Sequence, residues 1–374
     1  MAEEPERRKL RVGVIGGGYG RNHILAYRVS DNVEVAAFCQ RTQSDAEKIA
    51  REFHIPNVFT DYRDLLQLKD LDAVSIATPP NLHCTIALAA FARGLHVLCE
   101  KPLAMNGDEA QTMLAQAQAV KRTHMTAFNF RFIPAVTRAK ELLEEGYVGK
   151  RIFHVDATWL VEGRLAAETP LGWRHRKETA GVGVLGDTGV HLIDLVRWLA
   201  GDFRRIAGQA TIFHKQRRLP DGSGSAPVTV EDSCMFMAEL AGGVQANIHV
   251  SGVARGNIFQ SLRIFGSEGV LRVDIDRKHP DWMLGKLWGA RGANANVEPL
   301  PLPNRLTRGL NFSDPRRAAA EFIFSNLTRR FARAIRTGEE ATPSFREGMA
   351  AQKVIDAIVK SVEQEQWVSV ASNN

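Results

Sequence analysis

The sequence predicts an α/β protein in two parts. Residues 1–130 form a doubly wound parallel sheet, and residues 131–374 an α+β domain with a large open, mostly antiparallel sheet. Three observations predict this. Residues 10–128 alternate short runs rich in Val, Ile and Ala with helix-length segments, as strands buried on both faces and joined by crossover helices do. A glycine-rich turn joins the first run to the first helix. Beyond residue 200, apolar runs follow one another over short links, which favours antiparallel pairing.

In order, residues 10–16 (LRVGVIG) form the first strand and 22–29 the first helix. Strands over 33–39, 58–60, 73–77, 96–99 and 123–128 then alternate with helices over 44–52, 82–92 and 108–119. A sheet of this kind binds ligands at the carboxyl ends of its strands. After residue 130 the pattern changes. Residues 133–145 read as an amphipathic helix, 151–160 as a long strand, and 190–199 as a helix stopped by Gly201. Four strand segments follow at 206–214, 230–239, 244–250 and 260–273, the last broken by a turn at Gly266-Ser267. Residues 220–227 (PDGSGSAP) are a flexible surface loop, 277–307 are irregular, and helices over 315–335 and 345–363 close the chain.

With 374 residues, 44% hydrophobic and 24% charged, the chain has length for about two domains and a sizeable core. Cys39, Cys84, Cys99 and Cys234 form no C-x-x-C pair. That excludes a zinc ribbon or a disulfide scaffold and suits a reducing compartment. The net charge of +6 is spread along the chain, with Arg7-Arg8-Lys9 the densest run. A dispersed excess argues against nucleic-acid binding and fits an anionic small molecule, such as a phosphate-bearing cofactor. No stretch of 18 apolar residues is present, so no membrane span is predicted. Residues 10–16 after Arg7-Arg8 are too short and glycine-rich for an export signal. The expected compartment is the cytoplasm.

Five motifs carry chemistry. Gly16-Gly17-Gly18-Tyr19-Gly20 stands between first strand and first helix and reads G-x-G-x-G, one residue short of the usual G-x-G-x-x-G. Glycines let the backbone approach a pyrophosphate, and the helix start supplies unpaired N–H groups. At the end of the second strand stand Gln40 and Arg41 rather than an acid. An acid there would repel a 2′-phosphate, whereas an arginine can pair with one; this leans toward NADP or dual use. Thr78, Asn81 and His83 lie in the loop after the fourth strand, at the cofactor edge of the sheet. Glu100 and Lys101 follow the fifth strand, where desolvation makes an amine a usable acid or base. Finally, Asp187, His191 and Asp194 have i, i+4, i+7 spacing, so that one helix face could present all three. The plain alternative is a core histidine with a capping aspartate. No further ligand cluster accompanies these residues, so no metal is assigned.

Together these segments resemble the Gfo/Idh/MocA family of oxidoreductases. The resemblance rests on the glycine turn ending in His23, on T-P-P-N-x-H at Thr78–His83, and on E-K-P at Glu100–Pro102. It extends through Asn129-Phe130-Arg131-Phe132-x-Pro134, D-x-G-x-H-x-x-D at Asp187–Asp194, and the closing segment 344–368. Pro170-Leu171-Gly172-Trp173-Arg174 is similar to the family's sugar dehydrogenases, such as those acting on levoglucosan or inositol. The resemblance implies a Rossmann domain followed by a substrate-binding domain whose open sheet forms a homodimer or homotetramer. It implies Lys101, Asp187 and His191 as the catalytic set, and Asn129, Arg131, Trp173 and Arg174 near the substrate or nicotinamide.

The reaction so implied is hydride transfer between a secondary hydroxyl of a sugar, anhydrosugar or cyclic polyol and NAD or NADP. His191, oriented by Asp187, is the first choice as base, with Lys101 stabilising alkoxide charge; their roles are exchangeable. Two alternatives stay open. One is an NAD-dependent glycosidase with transient oxidation at C3. The other is a non-catalytic NAD(P)-binding sensor, although such relatives lose the lysine or histidine retained here.

Overall fold

The structure, a computed structural model, describes residues 8–30, 32–256, 259–279, 281–308 and 320–371. Arg7 of the basic run and residues 315–319, expected to open the penultimate helix, lie outside these. The described residues fall into two compact units. The first is bounded by Met1–Ala104, Asp108–Asn129 and Arg316–Met349, the second by Met105–Gly107, Phe130–Pro315 and Ala350–Asn374.

In the first unit six parallel strands make one sheet. They are β1 (Leu10–Ile15), β2 (Val33–Cys39), β3 (Asn57–Phe59), β4 (Ala73–Ile76), β5 (His96–Cys99) and β6 (His124–Thr126), in the order β3-β2-β1-β4-β5-β6. Strand order reverses between β1 and β4, so their carboxyl ends open a crevice. The strands are buried because their residues are small or branched and apolar: Val12, Val14, Ala36, Val74 and Val97 have at most 1% exposure. Helices Gly20–Arg28, Gln43–Phe53 and His83–Ala92 follow β1, β2 and β4, as predicted. The sequence reading missed the short helix Tyr62–Leu65, which Asp61 caps by accepting the Arg63 amide. Helix Ser325–Thr337 also belongs to this unit. It buries Leu327, Phe331 and Ala334, and its Thr328 hydroxyl reaches the Ala26 carbonyl of the first helix.

The second unit holds a nine-stranded sheet. Its strands are β7 (Ile152–Leu160), β8 (Phe203–Thr211), β11 (Ser233–Leu240), β12 (Gln245–Ser251), β13 (Phe259–Gly266), β14 (Gly269–Asp276), β15 (Lys286–Arg291), β16 (Glu298–Pro299) and β17 (Val368–Ser369). A separate ribbon pairs β9 (Gln216–Arg218) with β10 (Ser225–Pro227). In the large sheet every neighbouring pair is antiparallel except β7 with β12. Alternation places Cys234, Phe236 and Ala238 of β11 in the core, while Met235 and Met237 face outward and are exposed.

Three expectations change here. Residues 277–307 are not wholly irregular: they hold β15, which glycines at 285 and 289 hid by interrupting the apolar pattern, and the two-residue β16. Residues 220–227 are not all loop, because 225–227 pair with β9 across a turn closed by Leu219 N–H to the Gly224 carbonyl. The helix Val190–Ala200 is entered through a π turn at Leu185–Gly189. Its wider i→i+5 winding breaks the single face expected for Asp187, His191 and Asp194.

Candidate active site

The phosphate turn of the first unit is shaped by three backbone requirements. Gly16 has φ +111°, and a Cβ there would lie 2.3 Å from the Ala77 carbonyl oxygen. Nothing lies within 4 Å of a Cβ at Gly18, so that backbone faces open space. Gly20 opens the helix, and a Cβ would sit 3.2 Å from Val14 Cγ1. The shortened turn therefore still sets its last glycine where helix meets strand. Tyr19 caps this helix without a side-chain hydrogen bond, and its carbonyl accepts the amides of Asn22 and His23, so the Gly20 and Arg21 amides are the ones turned toward a ligand.

Around this turn three buried side-chain oxygens have no hydrogen-bond partner among the described residues: Gln40 Oε1, Thr78 Oγ1 and Asn81 Oδ1. They come from the carboxyl ends of β2 and β4. Orphaned polar atoms beside an open glycine backbone are what a dinucleotide site needs, so the residues present fit NAD or NADP. Arg41 is exposed beside Gln40.

His83 is fully buried, with Nε2 2.9 Å from the Thr78 carbonyl and Nδ1 3.0 Å from the Pro102 carbonyl. Burial lowers its pKa, against the pull of those carbonyls. Since its ring reaches no surface, it serves a cofactor site only through the two loops it holds. Glu100 is buried as well, and its Oε1 lies 3.0 Å from His23 Nε2. Burial alone would raise this carboxyl; the His23 hydrogen bond and charge, and then Lys101, outweigh that and hold it below the ordinary range. The Lys101 ammonium sits 5.7 Å from the Tyr19 ring centroid.

In the second unit the His191 ring is buried against an aromatic wall, 4.5 Å from the Phe130 centroid and 5.7 Å from that of Trp159. Asp187 and Asp194 have separate partners. Asp194 receives Arg131 through two bonds of 2.8 and 2.5 Å, in a pair almost wholly buried, and the guanidinium lies over Trp198. Asp187 stands 3.5 Å from Arg174 Nε, and Arg174 stacks on Trp173 at 4.2 Å. Trp173, Arg174, Asp187 and a positive guanidinium face thus form one group, while the Arg131 head is committed to Asp194. Asn129 is buried at the end of the stretch after β6.

Sequence reasoning missed Glu231, whose Oε1 accepts the amides of Gly183 and Leu185 and so holds the entry to the π turn. Burial pushes this carboxyl up, and the two amides offset that only in part. Arg217 was missed too. It is 1% exposed and donates to the carbonyls of Arg164, Ala166 and Thr169, ahead of Trp173. No local signal marks either residue, because their partners are 46 to 53 positions away.

Comparison with known proteins identifies the family. Residues 10–128 match the family model described as oxidoreductase family, NAD-binding Rossmann fold, and residues 136–272 match the GFO/IDH/MocA C-terminal domain. Levoglucosan dehydrogenase of Pseudarthrobacter phenanthrenivorans is 32% identical, over 96% of this chain and 98% of that protein. The solved structure of a levoglucosan dehydrogenase with NADH and levoglucosan superposes with a TM-score of 0.87 at 31% identity, covering 97% of this chain and all of that one. Its complex with NADH and L-sorbose gives 0.87 at 30% identity over 98% of this chain. A Rossmann sheet with its glycine turn, followed by the matching C-terminal domain, makes this chain a member of the Gfo/Idh/MocA family of oxidoreductases.

Proposed function

We propose that this oxidoreductase moves a hydride between a secondary hydroxyl carbon of a sugar, anhydrosugar or cyclic polyol and C4 of NAD or NADP. The observation that carries the reading is a dinucleotide cradle combined with His191 set on an aromatic wall, in a chain similar throughout to levoglucosan dehydrogenase. Gly16, Gly18, Tyr19 and Gly20 hold the pyrophosphate; Gln40 and Arg41 face the adenosine ribose; Thr78, Asn81 and Glu100 border the rest of the cofactor. When bound, the cofactor supplies a hydride acceptor. His191, with Asp187 one turn before it, takes the hydroxyl proton. Lys101 is the donor that stabilises alkoxide charge. Trp173 and Arg174 contact the sugar, and Asn129 and Arg131 support that side.

The exposed Met235 and Met237 of β11, with Trp367, support a homodimer or homotetramer through the large sheet. Four free thiols suit the cytoplasm, and among the described residues no helix is long and apolar enough to cross a membrane.

The test is a spectrophotometric screen of sugars, anhydrosugars and polyols with NAD and NADP in parallel. Reduced nicotinamide is expected to accumulate with at least one polyol or anhydrosugar. Sugar release from a glycoside with no net reduction would instead identify a glycosidase.

A further inference from the structure

We propose that His23 is a positioning residue for Lys101, acting through Glu100; the inference rests on the dehydrogenase reading of Lys101. His23 lies in the helix that begins at the phosphate turn, and its side chain has no exposure. Both ring nitrogens are engaged, Nε2 with Glu100 Oε1 and Nδ1 with Ser75 Oγ, each at 3.0 Å. Ser75 Oγ meets the Tyr27 hydroxyl, also at 3.0 Å, and Glu100 Oε2 accepts the Lys101 amide at 3.2 Å. One line of polar groups thus joins Tyr27, Ser75, His23 and Glu100 to the Lys101 backbone, inside an apolar sheet.

A second route leads to the same lysine. The Phe324 ring packs on His23 at 5.5 Å and on Tyr19 at 6.4 Å, and Tyr19 faces the Lys101 ammonium. The backbone of Lys101 is held through Glu100 and its ammonium is attracted by Tyr19; both holds trace back to His23. The line is no proton exit, because it ends at Tyr27, which is fully buried and whose hydroxyl burial makes a weaker acid. A buried network with every link made is rigid, and rigidity at Lys101 is what a fixed hydrogen-bond donor requires.

The test compares two amides in the NAD-loaded protein. In His23→Gln the side-chain amide reaches toward Glu100, replacing Nε2; in His23→Asn it reaches only toward Ser75, replacing Nδ1. Hydrogen exchange of the segment 98–104, read by mass spectrometry, is expected to quicken at least tenfold in His23→Asn and to stay within threefold of the parent in His23→Gln. With a sugar that the protein oxidises, kcat should fall at least tenfold in His23→Asn, with cofactor Kd within threefold, while His23→Gln stays within threefold in both. Equal losses in the two variants, or a change in cofactor Kd alone, overturn the proposal. Should His23→Asn fail to fold, Glu100→Gln carries the test, with the same exchange and kcat losses expected and unchanged values overturning it. Lys101→Ala separates the two readings. Full turnover there sinks the dehydrogenase role and the inference together, whereas an inactive Lys101→Ala beside a fully active His23→Asn sinks the inference alone.

Discussion

The two units build their sites by different means. In the first, strand topology does the assembling: glycines 16, 18 and 20 and residues at the ends of β2, β4 and β5 stand at the carboxyl edge of one parallel sheet. In the second, side-chain pairs hold the candidate residues, and two of these holds reach far along the chain. Arg131 holds Asp194 across 63 positions, and Glu231 holds the turn that carries Asp187. On the proposed reading, the cofactor would be met where glycine backbone and strand-end side chains converge. On the same reading, the substrate would be met by side chains, each held by a partner of its own.

That contrast predicts where damage should be greatest. The proposed chemistry rests on one residue of each unit, so Lys101→Ala or His191→Ala should lower kcat by about 10²- to 10⁴-fold, with circular dichroism and cofactor Kd unchanged. Near-normal turnover in both variants would refute the catalytic assignment. Next in size is stability in the second unit. Arg131→Met strips Asp194 of its buried cation and should cost about 3–5 kcal/mol in urea unfolding, most of which Arg131→Met with Asp194→Leu should restore. If the single variant is as stable as the parent, the pair is no support. In the first unit the specificity element is exposed and its effect smaller. Arg41→Ala should raise KM for NADP about tenfold, the worth of one charge-assisted hydrogen bond, and leave KM for NAD within about twofold. Equal changes for both cofactors would remove Arg41 from the 2′-position.

A further effect is graded with pH. His96, His124 and His175 each accept a backbone amide at Nδ1, from Thr123, Phe345 and Gly172. Burial, with nearby arginines, lowers each to about 4. Because the unfolded chain binds protons that the folded chain refuses between about pH 6.5 and 4, stability falls as pH drops through that window. Two of the three belong to the first unit, so His96→Asn, whose carbonyl can accept the same amide, should flatten the Tm–pH curve. An unaltered slope would remove His96 from the linkage.

What could be read beforehand follows the same division. The strands β1 to β6 and their glycine turn were legible because buried parallel strands write themselves as continuous apolar runs, and phosphate turns as glycines. The spacing of Asp187, His191 and Asp194 was legible as a pattern, but its geometry was not, since nothing in i, i+4 counting reveals a π turn. Arg217 in Gln216–Arg218 reads as exposed, yet it is buried, because its partners are carbonyls whose direction only the folded chain defines. β15 was hidden by glycines that admit Tyr147, whose hydroxyl would lie 2.8 Å from a Cβ at Gly289.

The loosened winding at Leu185–Gly189 is, in effect, a one-residue insertion at the start of a helix. Removing one position there, Thr188 for instance, would let the segment rewind as ordinary α-helix and swing Asp187 round the axis by about 100°. Every remaining side chain would keep its identity while the carboxylate left Arg174. The placement of this acid is therefore written in the length of the chain as much as in its letters, and an alignment scored on residue type alone would overlook its loss.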